Sequence, residues 1–468
     1  MQIYFNIWNI FCTFASEMRK ISTIIIFLEL VLAAQAQYQT RVIDSNIKTL
    51  RSRYLTNMEL PGNEQMLSRP YLVLRDGIID DSDPANIIEI SFDELSHEVH
   101  QYTFTIYHLN ANGTRSDLLS SEYLRGFTTS DITDYSFSLN TTIEYTHYRF
   151  TVPNSEMTLT ASGHYAVKVY EDGDEDKVVL YSTFAVVDPK AQIGATIHAN
   201  TDIEFSGRYQ QLDITVSAQP QDRLASSSAD MANDYFIKVQ QNGRTDNIVY
   251  KPRPSYVQTN SLQWVHNKDL IFEGGNEYRH FDIFSTYFAG YNVNRVVYDQ
   301  GDYHALLELD DLRGLGARYA GGIVADKCGA PYIHEFDEDG QFVVYAERVL
   351  NDVETEAEYM WVHWMVPCAN PWFDGSLYVG GELFNNLFTS ANRMLYDPDN
   401  KCYYLTSLVK QGGYNYLYFF LNKNEATLQH AEGSHWQTEN EYTIYVYHHP
   451  FGARYDALVG LVVLHSSH

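Results

Sequence analysis

Tyr135-Ser-Phe-Ser-Leu-Asn-Thr-Thr-Ile-Glu-Tyr145-Thr-His-Tyr-Arg-Phe150-Thr-Val-Pro-Asn154 alternates apolar and polar residues in two runs, and that alternation decides the fold class. Phe137 and Leu139 alternate with Ser136 and Ser138, while Tyr148, Phe150 and Val152 alternate with His147, Arg149 and Thr151. A period of two places one set on the buried face of a strand and the other on its opposite face. Pro153-Asn154 then breaks the ladder, because proline has no N–H to donate and asparagine tolerates turn geometry. Ser162-Gly163 opens the next strand, with Tyr165, Val167 and Val169 on one side and Ala166 and Lys168 on the other. Glu171-Asp-Gly-Asp-Glu-Asp176 is a polar hairpin tip, and Val178 to Val187 returns as a β-branched and aromatic strand.

Working outward, the same pattern fills the chain. Ile87 to Phe92 and Gln101 to Leu109 are further alternating runs, separated by turn residues such as Asn112-Gly113, and Asp188-Pro189 marks a boundary. Gln37 to Arg69 is a mixed segment that reads as an extended strand or tail reaching this block. Gln211 to Val216 alternates, and Tyr235 to Gln240 with Asn247 to Tyr250 forms a hairpin about Gln241-Asn-Gly243. The polar, Ser-rich Gln219 to Asn233 reads as a loop. Gly274-Gly275 predicts a bulge or a close backbone approach ahead of a strand at Glu277 to Phe284. Tyr359 to Val366, Ser376 to Gly380, Lys401 to Leu405, Asn415 to Phe420 and Tyr442 to His448 continue the series, and no amphipathic helix stands out. The expected fold is all-β: three immunoglobulin-like β-sandwich domains in series, at 37–190, 191–310 and 311–468.

With 468 residues and 45% hydrophobic content, the chain can bury more than one core. Sixty acidic against 32 basic residues give a formal charge of −28, which repels nucleic-acid phosphates, so no nucleic-acid partner is expected. Met18-Arg-Lys20, the apolar run from Ile24 to Ala33 and Ala34-x-Ala36 form the three parts of a secretory signal. Cleavage is expected before Gln37, with residues 1–17 an upstream extension and Met18 the alternative start; no later stretch reads as a transmembrane segment. Beyond Cys12 in the leader, Cys328, Cys368 and Cys402 leave at least one thiol unpaired in an exported chain, and spacing does not say which pair would form a disulfide.

Candidate chemistry is thin. His97 and His100 sit in a polar turn with His108 a strand away, and His448-His449 point to opposite faces of a strand, so neither set makes a metal site. Asp172-x-Asp174-x-Asp176 and Asp337-x-Asp339-Gly340 lack the ligand run of a calcium loop. Glu439 and Glu441 would share one face of a strand, as a carboxylate pair for sugar hydrolysis must, but nothing in the sequence supplies the cleft. No nucleophile elbow, phosphate loop or metalloprotease motif occurs, and no catalytic, metal or cofactor residue is assigned.

The order and spacing of one set of motifs carry a resemblance. Phe92-Asp93, Tyr123 and Gly126, Asn140, Tyr145, His147-Tyr148-Arg149, Pro153-Asn154 and Gly163 with Tyr165 resemble the first domain of type IX secretion system plug proteins. Gly275-Asn276, Tyr278 and Arg279 resemble that family's middle motif. Lys410-Gln411-Gly412, Tyr414, Tyr416, Glu432-Gly433, Thr438-Glu439-Asn440 and Tyr442 resemble its carboxy-terminal one. The likeness runs from about Ser68 to Gly460. It implies a periplasmic, non-enzymatic plug without cofactors, peripheral to the outer membrane. Its partner would be the translocon barrel, whose periplasmic opening it seals, with further secretion-system subunits as possible partners. The motif residues are implied to be mostly structural. A second likeness, of Val379 to Asn385 and Gly412 to Tyr416 to starch-associated immunoglobulin-like domains, implies an alternative, an exported glycan-binding or envelope-scaffold protein with Trp372, Phe384 and Trp436 stacking on sugar.

Overall fold

The computed structural model describes residues 38–55, 69–218, 228–258, 260–313, 341–423 and 425–466. The expected leader and its cleavage site, Cys12, Cys328, Asp337 and Asp339 lie outside them. Strands dominate, and the chain is all-β.

Two sheets enclose the first core. One runs Tyr71–Arg75, Val178–Val187, Gly163–Glu171, Tyr102–Leu109, Thr129–Ile132 in spatial order; the other runs Ile47–Tyr54, Ile88–Glu94, Thr146–Val152, Asp134–Phe137. Phe92, Tyr148, Phe150, Tyr165 and Val167 meet between them, as the period of two predicts. Stacking of Phe104 on Phe150 at 4.4 Å and the edge contact of Tyr102 with Tyr148 at 4.9 Å bind the two faces.

The second core, around Leu212, Ile214, Ile237, Trp264, Tyr442 and Ile444, lies between a sheet built on Ala191–His198 and Tyr209–Ala218 and one ordered Val249–Tyr250, Tyr235–Gln241, Glu441–His448, Ala457–His465. The third, around Phe281, Trp364, Tyr414, Tyr416 and Tyr418, gathers Arg279–Asp282, Gly412–Asn422 and Phe342–Val344 against a sheet that includes Asp302–Leu307, Tyr359–Pro367 and Cys402–Lys410. The strand pairing crosses the boundaries expected at 310. Arg279–Asp282 and Asp302–Leu307 belong to the third core, while Glu441–His448 returns over more than 190 residues to pair with Tyr235–Gln241. The middle unit is therefore closed by the chain's last two strands, a long-range pairing that local alternation does not encode.

Two local expectations fail for identifiable reasons. Asp134–Phe137 is an edge strand with all four residues exposed; Phe137 and Leu139 face solvent and Ser138 is buried, its hydroxyl accepting the Tyr145 N–H at 3.0 Å. The expected loop at Gln219 to Asn233 ends in a helix, Ser228–Asp234, because Met231 is fully buried in the second core. Cys368 and Cys402 are free thiols.

Gly126 is held at φ +105°, and a Cβ there would lie 2.0 Å from the Glu156 carbonyl oxygen. Gly126→Ala therefore has both a forbidden backbone and a clash with main chain. Thermal unfolding should show a loss of more than about 1 kcal/mol.

Candidate functional site

The motif residues, scattered over 350 positions, converge on buried polar junctions between the cores. The first begins at His147. Its neighbours in the strand Thr146–Val152 alternate as expected, but His147 is buried on the outward face because the third unit packs there. Across the pair, Asp93 lies opposite His147 in register and its Oδ1 is 2.6 Å from the His147 Nδ1. The Asp93 Oδ2 accepts from Lys410 Nζ at 2.6 Å and from the Tyr359 hydroxyl at 2.7 Å, both contributed by the third unit. Lys410 is fully buried, and Asp93 is 1% exposed. Lys410 also donates to the Glu354 carbonyl at 2.6 Å and lies 4.3 Å from the centre of the Tyr145 ring, whose hydroxyl donates to the Ala357 carbonyl at 2.8 Å. Arg51 of the first unit is bonded to the Glu354 carboxylate. Burial pushes the Asp93 carboxyl up, yet the Lys410 ammonium and His147 outweigh it and hold the group below its ordinary range. The charges compensate one another without solvent, which makes this a cross-unit lock.

Arg279 centres the second junction. Its guanidinium binds Glu432 in a fork, with Nε–Oε1 at 2.9 Å and Nη2–Oε2 at 3.0 Å, and reaches Asp310 at 2.8 Å. Asp310 also accepts from the Tyr416 and Tyr418 hydroxyls, each at 2.6 Å. Burial opposes the charge on Arg279, but Glu432 and Asp310 prevail and raise its pKa well above the usual value. Asn276 donates to the Glu432 carbonyl at 2.9 Å, tying the middle motif to the carboxy-terminal one.

The third junction joins the same two motifs through main chain. Asn440 Nδ2 donates to the Gly274 carbonyl at 2.9 Å and to Gln210 Oε1 at 3.0 Å, the Tyr442 hydroxyl donates to that oxygen at 2.8 Å, and Thr438 donates to the Gly275 carbonyl at 2.9 Å. The close approach predicted at the glycines is present. A Cβ on Gly274 would sit 2.1 Å from the His435 carbonyl oxygen, and Gly275 has φ +67°.

The other motif residues shape turns and core. Tyr123 and Tyr165 donate to the Ile106 and Ala161 carbonyls at 3.1 and 2.7 Å, and Gly163 leaves room for the His108 ring, 2.5 Å from where its Cβ would be. Asn140 and Gly433 hold positive φ, and Asn154 accepts from the Glu156 and Met157 N–H groups after the ladder ends at Pro153. Gln411 donates to the Phe284 carbonyl at 2.9 Å, and Gly412 passes the Val343 carbonyl where no Cβ fits. Tyr414 donates to the Lys410 carbonyl at 2.6 Å, and Tyr278 is buried. Arg149 stays at the surface beside Asp134. Glu439 and Glu441 do not share a face: Glu439 is exposed ahead of the strand, whereas Glu441 is buried against Arg69. Trp372 and Phe384 pack half-buried on the third core, and Trp436 is half-buried too, which leaves no open aromatic platform among these three.

Tyr359, Glu354, Asp310, Arg51 and Gln210 escape sequence reading. Glu354 stands in the acidic run Glu354-Thr-Glu-Ala-Glu358, which reads as a solvated surface. Tyr359→Phe removes a donor to Asp93 and should cost about 1–3 kcal/mol in chemical unfolding, since the carboxylate keeps its burial and loses a partner.

Between the three cores lies a cavity of about 580 Å³. Its walls come from all three units: Leu50 to Arg53 and Phe184 of the first, Lys238 and Tyr445 of the second, Phe342 and Glu382 of the third. Among the described residues no cluster of three or more potential metal ligands occurs, and no helix is long and apolar enough to cross a membrane.

The fold and these junctions define a class: an all-β protein whose sheet pairs are locked together by buried charge. Residues 75–188 match the model of the type 9 secretion system plug protein 1st domain. A crystal structure of a hypothetical protein from Parabacteroides merdae is similar over 92% of this chain and 99% of its own, with a TM-score of 0.80 and 33% identity. Through that first domain the chain belongs to the type IX secretion system plug protein family. No curated protein matches it.

Proposed function

We propose that the protein is a non-enzymatic periplasmic plug that binds the periplasmic opening of the type IX translocon barrel and seals it while idle. In this reading the three cores are three immunoglobulin-like sandwiches acting as one body. The supporting observation is the Asp93–Lys410 lock, in which first-domain and carboxy-terminal motifs meet with both charges buried. A seal across an aqueous pore must resist deformation, and domains joined only by flexible linkers would not. A reversible docking surface should bury roughly 800–2,000 Å² around aromatic anchors. Exposed Phe127, Phe373 and Phe451 supply such anchors.

The test is affinity capture of the tagged protein from detergent-solubilised envelope. Near-equal recovery of the barrel supports the plug; recovery without the barrel, together with retention on a glucan column, would favour the glycan-binding alternative. Because the protein is strongly acidic, its capture should weaken as salt is raised if charge steers the contact.

A further inference from the structure

The inter-core cavity is chemically unlike the rest of the molecule. On a chain of charge −28, its described walls carry Arg51, Arg53, Arg69 and Lys238 against a lone carboxylate, Glu382. The three arginines are held by carboxylates: Arg51 by Glu354, Arg53 by Glu89, and Arg69 by Glu441 and Glu382. Lys238 is not. It is 8% exposed, and among the described residues no carboxylate oxygen lies within 4 Å of its Nζ.

The partners Lys238 does have leave its charge uncompensated. Its Nζ is 3.4 Å from the Ala111 carbonyl and 3.2 Å from His164 Nε2. That same nitrogen is bonded to the Tyr447 hydroxyl. A neutral imidazole nitrogen has one lone pair, so Lys238 and Tyr447 compete for it or Nε2 donates to the tyrosine; in either case the ammonium lacks a full set of acceptors. Tyr445 presents its ring 4.6 Å from Nζ, which stabilises a cation without neutralising it. A buried cation without a counter-ion is costly unless a ligand supplies one.

We infer that the cavity is a binding site for a small organic anion, its acidic group seated on Lys238 and its apolar body against the aromatic walls. The volume lies within the range of small-molecule sites, and the lining combines aromatic rings with a few convergent polar groups. Nothing in this assignment requires the barrel.

The free protein should advertise the site through protons. Burial pushes Lys238 down to about 7, opposed at longer range by Asp456. Facing it are His164, which burial and Lys238 hold well below its usual value, Tyr445, pushed up to about 12, and Tyr447 and Tyr250, both also raised by burial. None of these gains charge between pH 6 and 8, so Lys238 alone sets the dependence there. An anion pairs with the protonated amine, and binding above pH 7 must draw in a proton.

The experiment is calorimetric titration of the full-length protein with benzoate, with benzamide as the neutral isostere. Benzoate should bind one-to-one and about tenfold more weakly at pH 8 than at pH 6. Benzamide should not bind. Lys238→Met should abolish binding, Lys238→Arg should keep it while flattening the pH profile, and the surface control Lys177→Met should change nothing. Benzoate that fails to bind, binds no better than benzamide, or binds equally to Lys238→Met overturns the assignment. Barrel capture by the same variants is read separately, so loss of one activity does not imply loss of the other.

Discussion

Lys410→Met is expected to destabilise the protein by about 3–5 kcal/mol, because it strands a buried carboxylate without its counter-charge. The sulfur side chain fills much of the lysine's volume, so the loss reports charge more than packing. Asp93 would keep only the Tyr359 hydroxyl and His147. The double variant Asp93→Asn with Lys410→Met should recover a large part of the loss, since it removes both charges. Denaturant unfolding of the four proteins closes the cycle. If Lys410→Met alone is within about 0.5 kcal/mol of the parent, the lock does not hold the units together.

The same pair contributes to the acid limit. The folded-state pKa of Asp93 is depressed, so its contribution is fully present above the unfolded value, near 4, and is lost as pH falls through the lower folded value. Glu354 is likewise depressed, its burial outweighed by Arg51 and Lys410. The share of stability owed to these two carboxylates should therefore hold down to about pH 4 and fall below it, added to a loss that begins near pH 6.5 as the unfolded forms of His108, His164 and His280, held neutral in the fold, take up protons. In Asp93→Asn the part of that acid dependence due to Asp93 disappears.

Arg279→Met is the second large effect, again about 3–5 kcal/mol or failure to fold, because two carboxylates of one junction lose their shared cation. Glu432 is fully buried, while Asp310 retains two tyrosine hydroxyls. Adding Glu432→Gln should therefore rescue stability, and adding Asp310→Asn should rescue less. Arg279→Lys tests the geometry: a point charge cannot reproduce the fork to Glu432, so it should fall between parent and methionine variant. Thermal melts with matched circular dichroism distinguish partial from complete loss.

What the sequence revealed and what it concealed follow from the range of each interaction. Strand identity was legible because a two-residue period is local: Tyr148, Phe150 and Val152 turn inward as read. Which strands belong together was less so. Glu441–His448 pairs with Tyr235–Gln241, a partnership no nearby residue signals. His147 shows the same limit at one position, since its outward face is buried only because a distant unit covers it. The motif residues could be picked out by resemblance, yet their contacts, Asp93 with Lys410 and Asn276 with Glu432, appear only in the folded chain. Lys238 gave no signal at all: in Tyr235-Phe-Ile-Lys-Val-Gln240 it reads as the solvent face of a strand.

The measurement that bears most directly on the plug reading is conductance of the purified translocon barrel in a planar bilayer, with this protein added on the periplasmic side. Saturable closure to near-zero current, reversed by washout and weakened at high salt, is the predicted result. An open-channel current unchanged at protein concentrations that bind the barrel would contradict it.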